Sequence, residues 1–325
     1  MTITGREHTG RWIGVLGLAV VLTAAGSLNG FAGELEPPVP PGTPTMKTMD
    51  ELEPRRPIYA EMLPLRIVEK GTSWYLAESI LTAGAGITVA ADNVTIDLMG
   101  FALEGGTGVG IKEDAALVPA PEGVTVRNGT VTGWPNQGIR LGARSTVVEV
   151  RATSNGGTGI EVGRGSLVAD CVASGNDVHG IATGFIAVVR DCVVEGNSQN
   201  GIYAVDSTLI VNCSVNNNDR NGIRVDDSCY VLDNRLHANS LLPGNDYAGI
   251  WVTGMYNRIE GNHVSFNRYG LRIDGGNNVA VRNSAQANIT QNYDLYQGNN
   301  MIGTIRTTSL TSAGPWDNLC IGNCP

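Results

Sequence analysis

Seven glycine-led pairs divide the chain at a nearly fixed interval. Gly138-Ile139, Gly159-Ile160, Gly180-Ile181, Gly201-Ile202 and Gly222-Ile223 follow one another every 21 residues, Gly249-Ile250 comes after a step of 27, and Gly270-Leu271 after a further 21. Other columns hold the same register. Asn155, Asn176, Asn197, Asn218 and Asn239 form one, Val150, Cys171, Cys192, Cys213 and Asn234 a second, and Asn128, Glu149, Asp170, Asp191, Asn212 and Asp233 a polar third. Self-similarity at such a period marks a solenoid.

A single repeat shows what kind of solenoid. Gly180 to Gln199 holds the Ile181 segment and two short apolar stretches, Ile186–Val189 and Cys192–Val194, separated by Gly, Asp and Asn. Short apolar runs bounded by turn residues read as strands, and no window carries helical periodicity. Three short strands in about 21 residues make one coil of a parallel β-helix, and stacking at roughly 4.8 Å lets backbone groups pair with the coils above and below. The spacing predicts an all-β, single-stranded parallel β-helix of about eight or nine such coils, right-handed by the general rule for parallel crossovers. Ile after each Gly points to the core, as do Leu141, Val162, Val225, Val252 and Ile273 two positions on. The glycines are expected to turn corners. The Asn column reads as a turn ladder. The three stacked Cys read as buried thiols rather than a zinc site, since no His shares their column.

Arg6 and Arg11, the apolar run Trp12–Ala25 and the small-residue stretch Gly30-Phe31-Ala32 read as a secretory signal peptide over residues 1–32. The whole chain has 22 Lys+Arg and 31 Asp+Glu; removing two Arg and one Glu with the leader leaves 20 against 30, a net charge of −10. That balance argues against nucleic acid and anionic lipid as partners, and suits a secreted or periplasmic protein with no membrane insertion after cleavage. Residues 33–57 are Pro-rich and read as a linker, 58–298 as the β-helix with an N-terminal cap over 58–90, and 299–325 as a C-terminal cap. Cys320 and Cys324 are placed for a small-loop disulfide in that cap. The step of 27 comes from an insertion, Leu241 to Asp246; in solenoids insertions gather on the functional face.

The stretch Asp92-Asn93-Val94-Thr95-Ile96-Asp97-Leu98-Met99-Gly100-Phe101-Ala102-Leu103 resembles the opening coil of right-handed parallel β-helix proteins of the pectate-lyase-like superfamily. The linker from Pro44 to Arg55 and the late Gly314-Pro315-Trp316-Asp317-Asn318 are similar to those of a group of secreted bacterial members. The resemblance implies a right-handed β-helix and does not by itself imply an activity. Enzymes of the superfamily use calcium-binding acids with an Arg or Lys base, or Asn-Thr-Asp, paired Asp and Gly-His-Gly motifs. Of these only Asp226-Asp227 is matched, and the Asp-Pro-His signature of alginate epimerases is missing.

Candidate chemistry lies on outward strand positions. Two residues after each Gly come Arg140, Glu161, Ala182, Tyr203, Arg224, Trp251 and Arg272, and the last four alternate aromatic and guanidinium. Aromatic faces stack on sugars and guanidinium forks grip carboxylates, so Tyr203, Arg224, Trp251 and Arg272 form the expected binding face for an acidic polysaccharide. Asp226 and Asp274 share a column two coils, or about 9.6 Å, apart, near the upper end for the acids of an inverting glycosidase. Asp206 and Asp227 sit one column over, so Asp206, Asp226 and Asp227 could hold Ca²⁺. On a catalytic reading, Arg224, Asp226, Asp227 and Asp274 carry a lyase or hydrolase reaction, with Arg224 as base or clamp. A non-catalytic envelope or surface scaffold is the remaining alternative.

Overall fold

The computed structural model describes residues 54–241, 246–296, 298–307 and 314–325. The signal-peptide stretch 1–32, the linker up to residue 53 and most of the 241–246 insertion lie outside the described residues. Every paired strand is parallel to its neighbours, and all belong to one continuous ladder system. Among the described residues the single helical element is a 3₁₀ turn, Ala60–Met62, and no helix is long and apolar enough to cross a membrane.

Each coil contributes three short strands, so the solenoid has three faces. The first carries the Gly-Ile segments: Ile139–Leu141, Ile160–Val162, Ile181–Thr183, Ile202–Ala204, Ile223–Val225, Ala248–Val252 and Tyr269–Ile273. The second includes Leu167–Ala169, Val188–Arg190 and Leu209–Val211, the third Val172–Ser174, Val193–Glu195 and Ser214–Asn216. Partners stand one period apart: Ile160 opposite Ile181, Ile181 opposite Ile202, Ile202 opposite Ile223. Ile160, Ile181, Ile202, Ile223 and Ile250 are fully buried. Identical side chains in register thus build a dry axial core, each contributing about 1.5–3 kcal/mol by leaving water.

The coils outnumber the expected eight or nine. The second face runs without a break through twelve rungs, from Arg56 to Met301. The early rungs escape a periodicity search because their spacing drifts: Leu65, Ile87, Ile111 and Ile139 stack on one another at steps of 22, 24 and 28. Residues 58–90, expected as a cap, therefore hold rungs of the same ladders. Beside them Met62 and Leu63, partly buried, pack against the core. Arg56 and Pro57, assigned by sequence to the linker, pair with Trp74 and Tyr75 in the first rung. A proline is tolerated in such an edge strand.

The corners explain the polar row. Asn128, Glu149, Asp170, Asp191, Asn212 and Asp233 have φ of 57, 57, 55, 56, 56 and 54°, the left-handed corner between the second and third faces. Asn and Asp tolerate that conformation best among residues with a side chain. The glycines of the Gly-Ile pairs do something else. They are not at positive φ; a Cβ on Gly180 would collide with Val194 and lie 2.7 Å from Asn197 Nδ2 and 2.8 Å from the Gly201 carbonyl oxygen. Close approach of the next coil, rather than turning, requires glycine there.

Beside those glycines the Asn column forms a hydrogen-bonded stack. The Nδ2 groups of Asn155, Asn176, Asn197 and Asn218 donate to the Oδ1 of the next residue at 2.9, 2.9, 2.9 and 2.8 Å, and the series continues through Asn239, Asn267 and Asn288. A second stack runs Asn234, Asn262, Asn283, Asn318. Cys171, Cys192 and Cys213 stand above it as free, buried thiols, and the Cys213 N–H donates to Asn234 Oδ1 at 2.9 Å. Cys229, for which the sequence suggests no partner, heads a third stack through Asn257 and Asn278. At the C-terminal end Cys320 and Cys324 form a disulfide, with Cys320 stacked on Ala285 at the core.

Candidate functional site

The first face places Tyr203, Arg224, Trp251 and Arg272 directly opposite one another on four successive rungs. Strand alternation points all four outward, between buried Ile and Val positions. The Arg224 guanidinium carbon lies 5.2 Å from the Tyr203 ring centre and 5.6 Å from that of Trp251; Arg272 lies 5.2 Å from Trp251 and 5.6 Å from Tyr269. The four side chains form an interleaved cation–π stack, worth about 0.5–2 kcal/mol per contact according to desolvation. Interleaving holds these long side chains in place before any ligand arrives.

The expected acids flank this stack and are engaged with it. Asp226 accepts from Thr253 Oγ1 at 2.6 Å and Tyr203 Oη at 3.3 Å, and lies 3.6 Å from the Arg224 guanidinium. Asp274 accepts from Trp251 Nε1 at 2.7 Å and Arg272 Nε at 3.0 Å. Asp206 and Asp227 serve the corner: Asp206 Oδ1 accepts the Asp227 N–H at 3.1 Å, and Asp227 Oδ1 accepts the Met255 N–H at 2.6 Å. Each carboxylate is used on a different partner. Among the described residues no three His, Cys, Asp or Glu gather as a metal-binding group, so Asp206, Asp226 and Asp227 do not fit the calcium site expected of them. Of the four residues of the catalytic reading, Arg224 meets Asp226, Asp274 meets Trp251 and Arg272, and Asp227 faces the corner backbone. Asp226 and Asp274 serve as clamps for the stack.

A neighbouring row extends the face. Two residues before each Gly stand Arg220, Tyr247 and Arg268, in the same register. Arg220 lies 5.7 Å over the Tyr247 ring, and Tyr247 packs 6.4 Å from Trp251, centre to centre. Arg224 and Arg272 are offset by Asp226, Asp274 and Asp294, which is 3.6 Å from Arg272. Arg220 and Arg268 form no ion pair with any acid among the described residues, and Arg268 Nε is buried without a partner. Charge is therefore divided across the face, with Asp226, Asp274 and Asp294 along the trailing edge and Arg220 and Arg268 along the leading one. The signal was in the columns: reading two places upstream of Gly222, Gly249 and Gly270 finds this second row.

His179, one coil above Asn200, sits against this patch. Its ring lies 5.4 Å from Tyr203 and its Nδ1 accepts the Asn200 N–H at 3.3 Å. Burial, then the charges of Arg220 and Arg224, bring its pKa from 6.5 down to about 4. Between those values the unfolded chain binds a proton that the folded chain does not, so folding stability falls as pH drops through this window. Denaturant midpoints measured from pH 7 to pH 4 are expected to decline less steeply in His179→Gln than in the wild type. Parallel declines would remove His179 as the source.

Residues 78–231 and 203–312 match the family described as a right handed beta helix region. The chain belongs to that family of right-handed parallel β-helix proteins. Among solved structures it is similar to the A-module of Azotobacter vinelandii mannuronan C-5 epimerase AlgE4, with a TM-score of 0.52 at 16% identity over 82% of this chain and 88% of that one. The A-module of AlgE6 from the same organism gives 0.50 at 14% identity, with the same coverage. At these identities the likeness is one of fold. No curated protein matches the sequence.

Proposed function

We propose that this protein is exported and binds an acidic polysaccharide along the first face, with sugar rings on the aromatic groups of the stack and sugar carboxylates on its leading edge. The observation that carries the reading is the pre-formed row Tyr203–Arg224–Trp251–Arg272 beside Arg220 and Arg268, which form no ion pair among the described residues. A side chain already fixed by its neighbours loses little freedom on binding, which favours affinity. A ladder of rungs about 4.8 Å apart offers repeated contacts to a linear polymer and few to a small molecule. That two structures of similar fold are mannuronan C-5 epimerases supports a polysaccharide as the partner. The apolar leader and the Cys320–Cys324 disulfide support export to an oxidising compartment. Affinity electrophoresis of the purified protein through gels containing alginate, pectate or a neutral glucan tests the reading. Retardation by the uronate polymers, diminished by added salt, is expected; unchanged mobility in all of them would refute it.

A further inference from the structure

Toward the N-terminal end of the first face the row of large side chains stops. Ala182 stands between Glu161 and Tyr203, and Gly142, Gly163 and Gly184 form the adjoining corner, leaving an open cleft of about 450 Å³. Glu113 borders this cleft from an unusual position. It stacks on Val89 in an inward column that Leu141 and Val162 continue, yet it is a carboxylate only 8% exposed. Its Oε2 has no hydrogen-bond partner, and neither has the buried Nε of Arg140, which lies 3.7 Å from Glu113 Oε1. Two buried polar atoms thus border one cleft without satisfying each other. Buried groups of this kind are normally paired, and an exception calls for a missing partner. On the same cleft Glu161 is held by Gln137 Nε2 at 2.8 Å and presents a second carboxylate.

We propose that the cleft is the subsite for one uronate ring of the bound polysaccharide. Arg140 Nε donates to the sugar carboxylate, while the unpaired Glu113 Oε2 and Glu161 accept from ring hydroxyls. The assignment rests on the polysaccharide reading given above and adds a specific position to it. Chemistry selects the ligand: an acceptor is needed for Arg140 and a hydroxyl suits Glu161, and a uronate carries both groups on one ring. Burial raises the Glu113 carboxyl above its ordinary value; its own backbone N–H and the charges of Arg140 and Lys112 oppose this, while Glu161 reinforces it.

Titration calorimetry on the full chain, with a short oligouronate and its carboxyl-reduced counterpart, tests this. Arg140→Gln is expected to weaken uronate binding at least tenfold and to leave the reduced sugar unchanged, whereas Trp251→Ala weakens both. Glu113→Ala, which removes the unpaired acceptor, should weaken binding of the uronate and of its reduced counterpart alike. If Arg140→Gln binds the uronate like wild type while Trp251→Ala does not, the subsite is overturned and the stack stands. The subsite is equally overturned if Arg140→Gln shifts only the thermal midpoint, since a buried water then completes the pair. No binding by the wild type overturns the polysaccharide reading as well.

Discussion

Replacing Asn197 by leucine is expected to lower folding stability by about 3 kcal/mol, a large effect for one side chain of similar volume. Asn197 is fully buried at mid-ladder. Its Oδ1 accepts the N–H of Asn176 at 3.0 Å and the Asn176 Nδ2 at 2.9 Å, and its own Nδ2 donates to Asn218 Oδ1 at 2.9 Å. Leucine supplies neither group, so the Asn176 N–H is left buried without an acceptor, and such orphans cost about 1–3 kcal/mol each. Asn197→Asp separates hydrogen bonding from packing. It keeps the shape but opposes a carboxylate to the Asn218 Oδ1, so it should cost at least as much. Denaturant unfolding of the two variants checks this, and a loss under about 1 kcal/mol in both would show that the stack is incidental to stability. Because solenoid coils contact only their neighbours, a weak rung at mid-array is also expected to broaden the transition.

The second large effect concerns the proposed binding face. Trp251 is the central member of the stack, touched by Arg224 on one side and Arg272 on the other. Trp251→Ala removes the broadest apolar surface on the face and releases both guanidinium groups, along with the Nε1 bond to Asp274. A loss of about 2 kcal/mol, roughly thirty-fold in Kd for an oligouronate, is expected of a central aromatic anchor. Trp251→Phe keeps a ring between the two arginines and should lose much less. Since Trp251 is an outward residue, neither variant should greatly shift the unfolding midpoint. Equal affinities for wild type and Trp251→Ala would remove the stack from the binding face.

Much of this architecture was legible because a parallel solenoid writes spatial neighbours one period apart. Register alone put Tyr203, Arg224, Trp251 and Arg272 in one row, and turned five asparagines into a ladder. What the register did not contain was what differs from coil to coil. The first coils, through Leu65, Ile87 and Ile111, vary in length and so carry no fixed period, which is why the rungs were undercounted. The Gly-Ile glycines were read as corners, but a repeated glycine serves equally where the next backbone comes too close. Asp206, Asp226 and Asp227 looked like a calcium cluster because column spacing gives Cα neighbours and not side-chain directions; two of the three carboxylates turn to cap backbone N–H groups. Glu113 was invisible for the opposite reason. It lies in the irregular coils, and only burial in three dimensions distinguishes it from any other surface acid.

A carboxylate-bearing polymer bound along the pre-formed aromatic and guanidinium row of the first face should meet one side chain per rung. Titrating the protein with oligouronates of graded length, beside neutral oligosaccharides of the same lengths, tests it most directly. Affinity for the uronates should increase with length until the face is spanned, fall with ionic strength, and exceed that for the neutral series at least tenfold. Equal binding of the two series, or no heat from either, would contradict it.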